Sequence, residues 1–117
     1  VRSNRWVTVR PRTISESEKD CALMTLNERA GEQCAFRVLP RYRFNHEGDP
    51  VGRHDQLLLQ SPALRMYVHV SLARRGQLAR REVNLSHDAS RWQFRVFSDA
   101  SFGDDVFKGG DNIRLFH

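Results

Sequence analysis

At 117 residues the chain is the size of one small domain, and its 39% hydrophobic and 28% charged residues place it among globular rather than disordered sequences. No apolar run approaches the roughly 20 residues of a transmembrane helix, and residues 1–12 are too basic and too broken by polar positions for a signal peptide. The net charge is +5, with 17 Arg against 2 Lys. That bias suits anionic partners through the bidentate guanidinium fork, and a GC-rich genome produces it equally well. Two cysteines, Cys21 and Cys34, are too few for a disulfide framework or a four-thiolate zinc site. Each lies in or beside a strand-like stretch, where a reduced thiol packs as a small hydrophobe, so a reducing compartment is expected. The five histidines are scattered without ligand spacing, and no metal or cofactor is expected. A first residue that is not Met suggests a piece of something longer.

In chain order the pattern is strands. Trp6-Val7-Thr8-Val9 opens it with a short β-branched and aromatic run. Residues 15–20 break the pattern: Ser15, Glu16 and Glu18 suit a helix start, but no apolar stripe follows, so a loop or short helix is predicted. Cys34-Ala35-Phe36-Arg37-Val38-Leu39 reads as a further strand. Arg41-Tyr42-Arg43-Phe44 follows as a connection, before the turn Glu47-Gly48-Asp49-Pro50. Strands are expected again at Leu57-Leu58-Leu59, Met66-Tyr67-Val68-His69-Val70 and Phe94-Arg95-Val96-Phe97. Gly109-Gly110 makes a tight turn into the last strand and is no phosphate loop, since no Gly-Lys-Ser/Thr follows.

These runs repeat. Asn4–Val9 resembles Arg65–Val70, Cys34–Leu39 resembles Trp92–Phe97, and His54–Leu59 resembles Gly110–Leu115, at offsets of 61, 58 and 56 residues. Each repeat reads as four strands, which points to an all-β fold of the trefoil or propeller kind. Trp6, Phe36, Tyr67, Trp92 and Phe94 hold equivalent places in the repeats and are the predicted core.

The wording of the repeats carries a resemblance. Ser3–Val9 looks like the "SNKYLTV" strand of inositol trisphosphate receptors, and Tyr67–Ser71 is close to the "RYLHLS" of ryanodine receptors. The most specific segment, Lys108-Gly109-Gly110-Asp111-Asn112-Ile113-Arg114-Leu115-Phe116-His117, nearly matches the "KGGDVVRLFH" that starts the second trefoil of inositol trisphosphate receptors. The ordered blocks cover essentially the whole chain.

This resemblance implies a β-trefoil that is incomplete within the chain. Residues 1–106 would form the second and third repeats of a first trefoil, and residues 107–117 the opening strand of a following one. Unpaired edge strands are then expected, with missing pieces supplied elsewhere or by self-association of the fragment. The implied function is that of a non-enzymatic regulatory (suppressor-type) domain of a homotetrameric calcium-release channel. It would lie on the cytosolic face of the endoplasmic reticulum or another calcium store, and its partners would be neighbouring domains of the same channel. Inositol trisphosphate would be bound by later domains, leaving no ligand site here. The loop matching Arg41, Tyr42, Arg43 and Phe44 carries a tyrosine in the receptors and contacts neighbouring domains, a role suited to Tyr and Arg. An alternative is a freestanding basic trefoil that binds carbohydrate or anionic polymers, as related modules in the lumen-facing protein O-mannosyltransferases suggest.

Other constellations are read plainly. Arg74-Arg75 and Arg80-Arg81 flank Gly76-Gln77-Leu78-Ala79 without interleaved aromatics, which fits a solvated loop and no nucleic acid. His87-Asp88 with Ser86 and Ser90 are turn and cap residues rather than a triad. Asp99, Asp104 and Asp105 lack calcium-loop spacing and read as a charged linker. Asn84-Leu85-Ser86 is an N-glycosylation sequon, relevant only in the secretory lumen. An occupied glycan there would favour the alternative.

Overall fold

Short β-branched and aromatic runs that end at Gly, Pro, Asn or Asp form strands because their side chains suit a pleated, half-buried surface. The computed structural model describes residues 4–75, 80–96 and 105–117. Its strands are β1 (Trp6–Ile14), β2 (Ala22–Asn27), β3 (Arg37–Pro40), β4 (Leu57–Ser61), β5 (Met66–Arg75), β6 (Arg80–Ser86), β7 (Gln93–Val96) and β8 (Ile113–Phe116). Every predicted run overlaps one of them. Residues 15–20 are irregular, and the one helical turn among the described residues is a 3₁₀ turn at Glu32–Cys34. No helix there is long and apolar enough to cross a membrane.

The chain divides into two units, residues 1–37 with 59–90, and residues 38–58 with 91–117. In the first, β1 pairs antiparallel with β2, Trp6 opposite Asn27, and β5 with β6, Tyr67 opposite Ser86. The two hairpins join through β2 and β6, Ala22 opposite Leu85. They are copies of one another in detail. Register slips between Arg10 and Ile14 in one and between Val70 and Arg74 in the other, so a bulge recurs at nearly the same place. The non-glycine residues with positive φ among those described are Asn4 (44°) and Arg65 (55°), which are 61 positions apart. A conformation that most residues avoid therefore recurs at the offset read from sequence.

The second unit repeats itself as well. His46 N–H donates to Asp49 Oδ2 at 2.6 Å and Asp49 N–H to His46 O at 3.1 Å, with Gly48 at φ 98°. Lys108 and Asp111 make the same two bonds, at 2.8 and 3.2 Å, around Gly110 at φ 95°. The structure thus refines one sequence pairing. The turn equivalent to Gly110-Asp111 is Gly48-Asp49, while strand β4 still matches β8, so residues 51–56 are an insertion between turn and strand. β3 lies beside β4, and β7 pairs antiparallel with β8 from Gln93 opposite Phe116 to Val96 opposite Ile113. The order of strands is that of an all-β, incomplete β-trefoil.

In the first unit the core comprises Val9, Leu59, Met66, Val68 and Leu85 together with Cys21 and Ala22; in the second it is Leu57 and Trp92. Leu57 and Trp92 exchange both backbone hydrogen bonds, at 2.8 and 2.9 Å. Of the predicted core aromatics, Trp92 is buried at 5% exposure and Phe36, Tyr67 and Phe94 are half-buried. Trp6 corrects the expectation: it is 52% exposed, because β1 ends the sheet order and pairs only with β2 among the described residues.

Trp92→Ala is therefore expected to cost about 3–5 kcal/mol, from the lost transfer energy and the cavity left behind. Trp6→Ala should cost no more than about 1 kcal/mol. Urea unfolding of the two variants separates them, and equal losses would mean the burial difference is unimportant.

Candidate functional site

The connection from β3 to β4 departs where Pro40 ends the strand. Arg41 N–H donates to Gln56 O at 2.9 Å, and the Tyr42 hydroxyl donates to Gln56 Oε1 at 3.1 Å, so one residue anchors both the backbone and the ring. Asn45 N–H closes a turn onto Tyr42 O at 3.3 Å. This turn brings the rings of Tyr42 and Phe44 into a parallel stack, centroids 5.5 Å apart and planes 10° apart, with the Arg41 guanidinium 6.0 Å from the Tyr42 ring. Arg43 is exposed in the same turn. Tyr42 is 45% exposed and Phe44 75% exposed.

Two aromatic rings held against each other outside the core are unusual, since burial is what normally fixes them. Here stacking, worth about 0.5–1.5 kcal/mol, and the cation–π contact, about 0.5–1 kcal/mol when exposed, supply the order instead. The rings are thus preset for contact, with little rotamer entropy left to lose on binding. Three of the four sequence-predicted residues, Arg41, Tyr42 and Phe44, form one cluster.

The remaining candidates fall into place as structural parts. Ser90 Oγ accepts from Val70 N–H at 3.0 Å and Ser86 Oγ from Asp88 N–H at 3.1 Å, both serving the backbone. The arginine pairs correct the loop reading: Arg74 and Arg75 end β5 and Arg80 and Arg81 begin β6, Arg74 opposite Arg81 and Arg75 opposite Arg80; residues 76–79 lie outside the described residues. Asp105 is exposed, and Asp99 and Asp104 lie outside the described residues. Asn84 is fully buried, and its Nδ2 donates to Ser15 Oγ at 3.0 Å and Glu18 Oε2 at 3.1 Å. A glycan on that nitrogen has no room in this fold.

Asn84 also leads to a cluster that sequence reasoning missed. His69 Nδ1 lies 3.1 Å from Asn84 Oδ1, directly across the β5–β6 ladder, and 3.5 Å from Glu18 Oε2. Cys21 Sγ is 3.4 Å from the same carboxylate oxygen, and Leu72 N–H reaches Glu18 Oε1 at 3.3 Å. Ser15 donates to Glu82 Oε2 at 3.0 Å and accepts from the backbone of Ser17 and Glu18. The Asn84 amide holds the Glu18 carboxyl below its usual range, against the opposing effect of burial. Burial pushes the Cys21 thiol up. Only the local Glu18–Cys21 spacing is visible in the sequence, since His69 and Asn84 arrive from distant strands.

The fold is thus an all-β repeat with an exposed, stacked aromatic turn. A family model described as inositol 1,4,5-trisphosphate/ryanodine receptor matches residues 1–104, and the chain belongs to that family. It is 26% identical over 128 aligned positions to the inositol 1,4,5-trisphosphate receptor itr-1 of Caenorhabditis elegans. The alignment covers 100% of this chain and 4% of that receptor, so the chain spans a small fraction of the relative it matches.

The Glu18–Cys21 pair sets a pH dependence, measured in chelator. A lowered carboxyl stabilises the fold above its ordinary value of 4.5, and the contribution is lost as pH falls from there through the folded value. A raised thiol acts oppositely: stability is full below its ordinary 9.0 and drains as pH rises beyond it. Urea unfolding across pH should show Glu18→Gln losing part of the acid-side slope and Cys21→Ser part of the alkaline-side slope. Parallel wild-type and variant curves would contradict this.

Proposed function

We propose that the chain is a regulatory, non-enzymatic domain near the N-terminus of an intracellular, ligand-gated calcium-release channel. In that role it modulates ligand affinity and couples binding to gating through contacts with neighbouring domains of the same channel, a homotetramer in the calcium-store membrane with this domain on the cytosolic side. The ligand, inositol trisphosphate, is bound by later domains. The observation that carries the reading is the exposed stack of Tyr42 and Phe44 with Arg41, in a chain that belongs to the receptor family. Aromatic and Arg side chains are the ones that dominate contact energetics when a partner covers them.

The domain boundary follows the same logic. The family match ends at residue 104, and β8 beyond it keeps Ile113, Leu115 and Phe116 exposed although it pairs with β7. Although the Arg95 guanidinium lies 3.5 Å over the Phe116 ring, all three side chains remain partly uncovered, which supports reading residues 1–106 as part of a first trefoil and 107–117 as the opening strand of the next. Burial of Asn84 removes the glycan that would have favoured the alternative of a basic trefoil binding carbohydrate or anionic polymers.

The test is calorimetric titration of inositol trisphosphate into the N-terminal region of the natural protein, with and without this segment. Deletion should tighten binding by at least about fivefold, the lower range of coupling between sites. A region that binds equally well either way overturns the regulatory reading, and one that never binds removes the ligand-gated channel. In the intact region, Tyr42→Ala with Phe44→Ala should reproduce part of the tightening while unfolding stability falls by no more than about 1–2.5 kcal/mol, the amount that the stack and the cation–π contact supply.

A further inference from the structure

We propose that Glu18, Cys21 and His69 form a site for a zinc-class divalent cation, with the Asn84 carbonyl oxygen beside it. The three side chains come from separate parts of the first unit: Glu18 and Cys21 from the connection between β1 and β2, His69 from the middle of β5. Their ligand atoms all lie within 4.8 Å of one another. Tetrahedral zinc, with bonds of about 2.0–2.3 Å, holds neighbouring ligand atoms about 3.3–3.6 Å apart. Two edges already have that length, Cys21 Sγ to Glu18 Oε2 at 3.4 Å and His69 Nδ1 to the same oxygen at 3.5 Å. The widest edge, at most 4.8 Å, needs a side-chain adjustment of no more than about 1.2 Å.

As a hydrogen bond the His69–Glu18 contact is poor, since 3.5 Å lies beyond the useful N–H···O range, whereas Cys21 S–H···O at 3.4 Å is of ordinary length for sulfur. Both groups converge on one carboxylate oxygen that already accepts from Asn84 Nδ2. A cation at their centre replaces these two contacts, and the Nδ1–H bond to Asn84, with three metal bonds. The Asn84 amide is fixed by its two donor bonds, which aim Oδ1 at the imidazole as a fourth ligand. The donor set decides the metal class. Thiolate with imidazole suits zinc and its neighbours, and hard calcium or magnesium takes oxygen alone.

Binding is a balanced exchange. The Cys21 S–H bond gives way to a metal–sulfur bond and its proton leaves to solvent, with no electron transferred. In the empty cluster Nδ1–H of His69 donates to Asn84 Oδ1; when Nδ1 takes the metal, the ring proton sits on Nε2. Glu18 is the most exposed of the three ligands and marks the side from which an ion enters. The result is a clamp between the β1–β2 connection and the β5–β6 hairpin.

The probe is Co²⁺, then Zn²⁺, titrated into the reduced, metal-stripped full chain. One equivalent of Co²⁺ should give a thiolate-to-cobalt charge-transfer band with tetrahedral visible bands, displaced by Zn²⁺, and Zn²⁺ should raise Tm by several degrees. Cys34→Ser should keep the band and Cys21→Ser should lose it; His69→Gln should weaken binding at least about tenfold, by the loss of one ligand. Should Cys21→Ser fail to fold, the Cys34→Ser chain serves alone: Zn²⁺ should slow alkylation of Cys21 more than tenfold. No charge-transfer band in the folded chain, a band that survives Cys21→Ser, or alkylation indifferent to Zn²⁺ overturns the site.

Discussion

The side-chain amide of Asn84 is the point on which the first unit turns. It is fully buried, and taking an amide from water without replacing its bonds costs roughly 2–7 kcal/mol. Here the bonds are replaced: Nδ2 reaches Ser15 and Glu18, and Oδ1 reaches His69. Because Ser15 in turn organises the backbone of Ser17 and Glu18 and donates to Glu82, one amide holds an irregular connection against the β5–β6 hairpin. Ser15 and Glu82 explain why the segment from residue 15 opens no helix. The backbone N–H groups of Glu16, Ser17 and Glu18 bond to the Ser15 hydroxyl and the Glu82 carboxylate, so helical bonds are not needed to satisfy them.

A buried polar centre also explains the composition of this core. Thr8, Ser15, Ser61, Ser71, Asn84, Ser86 and Ser90 are buried beside a few aliphatic side chains. Such a core gains less from apolar burial, and more of its specificity comes from matched donors and acceptors. Losing one partner leaves the others desolvated and unpaired, which is more costly than the bond itself. Strain in the backbone follows the same economy of position. Asn4 and Arg65 both take positive φ just before a strand, and the trefoil repeat sets that geometry twice whatever residue occupies it.

The repeat was legible in the sequence because it is written in local signals. Aromatic and β-branched runs, the Gly-Asp turns and their offsets are all short-range, and strands β1, β3, β4, β5, β7 and β8 and the family resemblance came from them, while β2 and β6, which complete the two hairpins, carry no such run. The exposed turn at Arg41–Phe44 was legible as a connection, but not as a ring stack, since stacking depends on a turn closed by Asn45 and an anchor at Gln56. Trp6 misled because residue type reports the wish for burial and not its availability at the end of a sheet. The Glu18–Cys21–His69–Asn84 cluster was illegible for a different reason. Its members are separated by up to 66 positions, and only the β5–β6 register sets His69 against Asn84.

Two of the strands that end a sheet among the described residues, β1 and β8, carry exposed apolar side chains. On β1, Trp6, Val7 and Ile14 are exposed, and on β8, Ile113, Leu115 and Phe116. Free strand edges with apolar side chains are templates for pairing, and stable proteins cover, charge or twist them. Neither edge carries the inward charges or prolines that would blunt it along its whole length, although Arg10, Pro11 and Arg12 interrupt the far end of β1. The exposed apolar side chains on these two strands are surface that a neighbour would cover. Under the regulatory reading proposed above, a contact that contributes stability in one arrangement and not in another gives the two arrangements different energies, and a ligand elsewhere can then choose between them. The Tyr42–Phe44 stack differs from the edges in being ordered without help, so it can make and break contact while the fold behind it stays unchanged.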